Sequence, residues 1–253
     1  MKITFLGTGT SQGVPIITCQ CPICSSTDEK DKRLRSSLMI EIENNIFIID
    51  CGPDFRYQML REKVKKIDAI FITHGHRDHI AGIDDIRPYN YSQQKAIEIF
   101  AKKDVLLNIK DEFNYVFKYE KYPGVPKIDL HLIDKNPFTF NNIQVIPIEV
   151  KHFKISILGY RIADFTYITD ANFISSEEIK KIKGSKVIVL NALRKQPHET
   201  HFTLNQALEL FAELKPEQGY ITHISHEMGL YKDVEKELPA NIHLAYDRLT
   251  IQI

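Results

Sequence analysis

Apolar and polar positions alternate with a period of two over Lys2–Leu6, Ser37–Glu43 and Ile46–Asp50, the pattern of half-buried strands. Asn44-Asn45 between the last two marks a hairpin, although the glycine usual in such a turn is missing. A helical spacing of Phe55, Met59, Leu60 and Val64 follows, predicting a helix over 54–65 with Asp54 as N-cap, and residues 68–73 return to strand. A short helix is expected over 80–86, stopped near Pro88, with Tyr89-Asn90-Tyr91 packing into the core. Further strands are expected at 97–101, 127–133, 143–150, 155–163, 167–169, 186–191, 219–222, 242–246 and 249–253, and helices at 103–119, 175–182 and 203–214. Residues 122–126 read as a break. Two strand-rich halves with helices outside predict stacked sheets covered on both outer faces, in one domain spanning 1–253.

Composition changes little in this picture. Lys plus Arg and Asp plus Glu are both 33, so the formal charge is zero and no global basic field points to nucleic acid or an anionic membrane. No stretch reaches the ~20 apolar residues of a membrane span, and the apolar run at the amino terminus is too short for a signal peptide. The expected setting is the cytoplasm. Cysteine usage agrees, because Cys19, Cys21 and Cys24 crowd into six residues, as a metal clip would, while Cys51 stands apart as a small buried filler. This cluster opens a loop over about 14–37 whose charged run, Asp28–Arg33, is a solvated face. Before it, Gly7–Gly13 is a turn whose amides and hydroxyls could approach a phosphate, though it lacks the Lys-Ser/Thr ending of a nucleotide loop.

Chemistry concentrates directly after the apolar run Ala69-Ile70-Phe71-Ile72. His74, His76, Asp78 and His79 fall within six residues and take three of the ten histidines of the chain. A His pair two apart points to one side of an extended chain, and the Asp-His pair can turn to a second point, a spacing that suits two adjacent cations. His152, Asp170 and His223 each lie just past a predicted strand, so they can converge on the same edge. His131, alone within a strand, and His198 and His243 are expected to be packed or surface residues.

In this order, Asp50, the 74–79 stretch, His152, Asp170 and His223 resemble the metallo-β-lactamase superfamily over essentially the whole chain. The resemblance implies a four-layer αββα sandwich. It implies one divalent metal held by His74, His76 and His152, a second by Asp78, His79 and His223, and Asp170 bridging them, with Asp50 behind them to orient imidazoles. Zn²⁺, Mn²⁺ or Fe²⁺ suits such N and O donors. Hydrolysis by a metal-bridging hydroxide is the expected reaction, and Asp rather than Cys at position 170 resembles the phosphodiesterase branches more than the lactam-cleaving ones.

The three thiols need a fourth ligand for a structural zinc, and His226, three residues after His223, is the candidate. The Cys-x-Cys-x-x-Cys insertion, Thr222-His223-Ile224-Ser225-His226, Gly7-Thr8-Gly9, Gln12–Pro15 and His201 together resemble the phosphoribosyl 1,2-cyclic phosphate phosphodiesterase group. By that resemblance Asp78 and His201 are the catalytic candidates, His201 as phosphate ligand or as acid for the leaving oxygen, the substrate is a small cyclic or linear phosphodiester, and a homodimer is expected. Two rival readings are a nuclease resembling ribonuclease Z, for which the chain lacks a basic arm, and a non-hydrolytic accessory protein resembling the pyrroloquinoline quinone biosynthesis B protein. Selectivity is expected in the Gly7–Gly13 turn, the 14–37 loop, His201 and the aromatic segment of about 111–126.

Overall fold

The run Ala69-Ile70-Phe71-Ile72 offers water no polar face, and all four residues are buried, as strands covered on both sides require. The structure, a computed structural model, describes residues 1–118 and 123–253. The chain divides into two compact units, the first of Met1–Leu6, Ser37–Asp134 and Thr250–Gln252, the second of Gly7–Ser36, Lys135–Leu249 and Ile253.

In the first unit, strands β1 (Lys2–Gly7), β2 (Ser37–Ile42), β3 (Asn45–Ile49), β4 (Ala69–Phe71), β5 (Ile97–Ala101) and β6 (Ile128–Leu132) lie side by side in chain order, with the C-terminal β15 (Thr250–Gln252) added beyond β1. The β2–β3 pair is an antiparallel hairpin, whereas β3, β4, β5 and β6 run parallel. The hairpin turn is Glu43-Asn44, one residue earlier than expected, with φ of 47° and 64°. Positive φ at both central positions matches the right-handed twist of the strands and is tolerated here without glycine. Phe47, Phe71 and Phe100 form a ladder along neighbouring strands with centroids 5.3 Å apart at each step.

On the other face, Ile48, Ile70 and Ile99 pack against helices α1 (Phe55–Arg61), α3 (Arg87–Gln93) and α4 (Lys103–Glu112) through Phe55, Met59, Tyr89, Val105 and Ile109. Asp54 occupies the N-cap of α1 but makes no side-chain cap bond there. Pro88 opens α3 instead of stopping a helix, because the first turn needs no N–H from it. Of the two tyrosines beside it, Tyr89 is buried while Tyr91 is exposed. The expected 103–119 helix divides into α4 and α5 (Asn114–Phe117), and Tyr119 and Tyr122 lie outside the described residues. Phe113 and Tyr115 pack on the same core, so this part of the aromatic segment is structural. His131 stacks on Phe100 at 4.5 Å beside Glu98, in keeping with a packed strand residue.

The second unit is built on the long hairpin of β8 (Ile143–His152) and β9 (Ile155–Ile162), with β7 (Phe138–Phe140) and β11 (Phe173–Ile174) paired to β8. From β9 the sheet continues through β10 (Phe165–Tyr167), β12 (Val187–Asn191), β13 (Gln218–Thr222) and β14 (Ile242–Leu244), the last four running parallel. Helices α6 (Ser176–Ile182) and α7 (Leu204–Leu214) share a core with it, where Ile179, Ala207 and Phe211 meet Ile148, Ile188 and Ile221. Thr203 and Gln206 cap α7 reciprocally, so capping belongs to Thr203 and leaves His201 for other work. Among the described residues no helix is long and apolar enough to cross a membrane.

Candidate metal centre

Parallel strands end on one edge, and the polar residues that follow them gather there. In the first unit β3 runs into Asp50 and β4 into Thr73-His74. Asp50 turns into the left-handed region, with φ of 64°. Its fully buried carboxylate accepts from the Thr73 amide at 2.8 Å, the Thr73 hydroxyl at 2.9 Å and His79 Nδ1 at 2.6 Å. Burial pushes the Asp50 pKa up, and His79 and the Thr73 donors pull it back. Because the carboxylate accepts a hydrogen bond from Nδ1–H, the lone pair of neutral His79 sits on Nε2.

His79 Nε2 lies 3.1 Å from Asp78 Oδ2, and His74 Nε2 lies 3.0 Å from His76 Nδ1. Two donors about 2.0–2.1 Å from one tetrahedral cation are separated by about 3.3 Å, so each pair fits the edge of a coordination shell. His74 and His79 are buried and His76 is exposed, giving a site that is fixed below and open above. Helix α2 (Arg77–Ile80) carries Asp78 and His79, and the loop after Asp50 braces it, with Cys51 N–H donating to His79 O at 2.7 Å. Gly52 is obligatory in that brace, since a Cβ there would meet Asp78 O at 2.0 Å. Cys51 beside it is fully buried, as expected of a filler.

In the second unit, Asp170 follows β10 and His223 follows β13, with φ of 60° and 56°. Backbone strain of this kind at polar residues just past parallel strands marks functional positions within each unit. Asp170 is 2% exposed, with Oδ2 at 3.2 Å from His223 Nδ1 and Oδ1 at 3.3 Å from His201 Nε2. His152, at the end of β8, donates from Nδ1 to Thr200 O at 3.0 Å. Ligand atoms of His152, Asp170 and His201 lie within 4.8 Å of one another, and the His201 and His223 rings stack at 4.9 Å. His198 is exposed, as expected, but its ring reaches to 5.2 Å from that of His201. His243 pairs with Glu235 at 2.7 Å, away from these groups.

Sequence periodicity gave no hint of three residues that hold these groups in place, one in the first unit and two in the second. Thr73 orients Asp50; Asn191, at the end of β12, clamps Ala171 with both amide atoms, at 2.7 and 2.9 Å; and Thr200 contacts three histidines. The one available signal for Asn191 was its position at a strand end beside the others.

Cys19, Cys21 and Cys24, all free thiols, surround His226, with Sγ atoms at 3.4, 3.4 and 3.5 Å from Nδ1. A tetrahedral zinc with Zn–S of about 2.3 Å and Zn–N of about 2.0 Å sets S···N edges of about 3.5 Å, so this donor set fits the ion. The Cys24 backbone N–H, with His226 and the other thiols, holds Cys21 down to about 6 against its burial, which favours a thiolate at neutral pH. The Gly7–Gly13 turn departs from expectation. Four of its amides are already used, Thr8 by Asp247, Gly9 by Leu34 O, Thr10 by Ile224 O and Gly13 by Thr10 O, and Gly9, Thr8 and Thr10 are buried. These amides are bound within the fold and are not offered to a phosphate.

The chain belongs to the β-lactamase superfamily, whose domain model matches residues 45–224, and its fold class is that of the metallo-β-lactamase hydrolases. Within that class it is similar to a solved diphosphatase of the PhnP family, 37% identical with a TM-score of 0.93 over 100% of this chain and 97% of that one. It is also 36% identical over 252 residues to an octanoyltransferase of Porphyromonas gingivalis, which covers 98% of this chain and 51% of that protein. With a ribonuclease Z of Prochlorococcus marinus it shares 30% identity over 178 residues, 65% of this chain and 50% of the relative. The chain thus spans about half the length of these curated relatives.

Proposed function

We propose that the chain is a metal-dependent phosphodiesterase acting on a small cyclic or linear phosphodiester, with phosphoribosyl 1,2-cyclic phosphate the first candidate. The observation that carries this reading is Asp170, a buried carboxylate contacting both His201 and His223. Imidazole N and carboxylate O donors throughout suit divalent cations such as Zn²⁺ and Mn²⁺. Family membership supports the ligand set of His74, His76 and His152 for one cation, Asp78, His79 and His223 for another, and Asp170 shared. When bound, Zn²⁺ or Mn²⁺ there would acidify a water and draw charge from a phosphoryl oxygen.

The chain's own residues supply the rest. Asp50 fixes the His79 ring from the Nδ1 side. His201 holds a proton on Nε2 against Asp170 Oδ1, placed to pass it to the oxygen that leaves phosphorus. The similarity to a PhnP-family diphosphatase supports phosphoryl chemistry. The ribonuclease Z similarity supports a second reading, RNA cleavage.

Purified protein loaded with Zn²⁺ or Mn²⁺, its metal content measured, is offered phosphoribosyl 1,2-cyclic phosphate, bis(p-nitrophenyl) phosphate and a precursor tRNA. Turnover of the small diesters is the expected result. Cleavage of the tRNA alone would transfer the assignment to the second reading, and inactivity on all three with metal in place would refute both.

A further inference from the structure

Thr200 sits among three imidazoles and has no part in the ligand set. Its carbonyl accepts from His152 Nδ1 at 3.0 Å, its hydroxyl lies 2.7 Å from His201 Nδ1 and 3.1 Å from His198 Nδ1, and its amide donates to His198 Nδ1 at 3.3 Å. The segment is pinned on both sides. Asn172 takes the Phe153 amide at 3.0 Å and gives its own NH₂ to Glu199 O at 2.7 Å, while the Phe202 amide donates to Ala171 O at 2.8 Å.

We propose that Thr200 is the positioning residue that supports opposite tautomers on His152 and His201, its carbonyl fixing the first and its hydroxyl reinforcing the one that Asp170 selects on the second. A carbonyl oxygen only accepts, so His152 carries its proton on Nδ1 and its lone pair on Nε2, the form a metal ligand needs. For His201 the logic runs from the other nitrogen. Asp170 Oδ1, 3.3 Å from Nε2, also only accepts, so the proton is on Nε2 and Nδ1 is the acceptor. The hydroxyl of Thr200 must then donate to His201 Nδ1, and it is available to do so because the Thr200 amide already serves His198. Thr200, with Asp170 on the far side of His201, thereby keeps a ligand imidazole and a proton-holding imidazole, 4.9 Å apart, in different protonation patterns. Such outer hydrogen bonds typically change affinity or activity by about 10–100-fold when removed.

The role in turnover rests on the phosphodiesterase reading; the tautomer assignment does not. Thr200→Val removes the hydroxyl but keeps shape and carbonyl, and Thr200→Ser keeps all three groups. Long-range ¹H–¹⁵N correlation spectra of the metal-free protein, at a pH where the imidazoles are neutral, report both rings directly. The expected result is that the Nε2–H share of His201 falls in Thr200→Val, where Asp170 alone still favours it, and is kept in Thr200→Ser, while His152 stays Nδ1–H in both. On the metal-loaded enzyme, Thr200→Val should lower kcat about 10–100-fold with KM and metal content within about twofold, and Thr200→Ser should restore it. An unchanged His201 tautomer in Thr200→Val, or equal loss in both variants, overturns the proposal. If no phosphodiester is turned over, the spectra alone decide it.

Discussion

The Cys19–Cys24 clip gives the sharpest stability prediction, because little else holds the loop that carries it. At its ends the loop is anchored, by the Val14–Arg33 backbone pair and by Asp31, which takes the Ser26 hydroxyl at 2.6 Å and the Tyr231 amide at 2.7 Å. Between these anchors the backbone bonds form local turns, such as Cys19 N–H to Ile16 O at 3.0 Å and Ser25 N–H to Cys21 O at 2.9 Å. Apolar burial contributes almost nothing, and Ile17 is 88% exposed. Ordering the stretch from Pro15 to Ser26 costs about 1 kcal/mol per residue at the low end, roughly 12 kcal/mol in all. A structural zinc supplies about 10–16 kcal/mol. The two nearly cancel, so the loop should be ordered with zinc and unfolded locally without it.

The perturbations are chelation and Cys21→Ser, which removes the thiol that meets both His226 and the Cys24 amide. The assay is amide hydrogen exchange with zinc content counted on the same sample. Residues 16–25 should lose nearly all protection, while β8, β12 and β13 keep theirs, because their core shares no residue with the loop. Melting should fall by several degrees, at about 2–4 °C per kcal/mol for a chain of this size. Turnover per folded molecule should fall less than stability does. Unchanged exchange over 16–25 after the zinc is gone would refute the reasoning, and so would loss of turnover with unchanged melting.

Two further perturbations test the first unit. Asp50→Asn removes the charge that holds His79 at 2.6 Å and should weaken metal binding by about 10–100-fold, measured by competition with a chelating dye; equal affinity would refute the orienting role. Asp68 is buried, which alone would raise its pKa, but the Ile46 amide at 2.9 Å together with Lys66 and Lys95 lowers it below the usual carboxylate range. A carboxylate depressed in the folded state stabilises above its unfolded pKa of about 3.9 and loses that contribution as pH falls through the folded value. Asp68→Asn should therefore lower the urea midpoint more at pH 7 than at pH 3, and a difference independent of pH would contradict this.

Strands were legible in the sequence where burial alone shapes them. Runs such as Ala69–Ile72 and Val187–Asn191 have no other reading, and a ligand just past a strand needs only chain order to be noticed. The two-residue β11 and the three-residue β7 left no period to detect. Pro88 misled because its meaning depends on whether a helix precedes or follows it, which the apolar spacing around it does not decide. Asn191, Thr73 and Thr200 were invisible for a different reason: each acts through a hydrogen bond to a neighbour that only the fold brings near.

The Gly7–Gly13 turn shows what this costs a functional reading. Glycines and threonines after a first strand suggest free amides, yet Thr8 is bound to Asp247, 239 positions away, which no local pattern records. The same Asp247 takes the Leu34 amide at 3.0 Å, and Arg33, whose guanidinium burial lowers to about 10, bonds Thr8 Oγ1 at 2.9 Å and Ala245 O at 2.5 Å. These bonds join the turn to the clip loop and to the C-terminal segment, so its glycines serve close backbone approach: a Cβ on Gly9 would meet Arg33 at 2.9 Å. Donors for an anionic substrate must then come from elsewhere. His201 meets that need best, since its Nε2–H stands against Asp170.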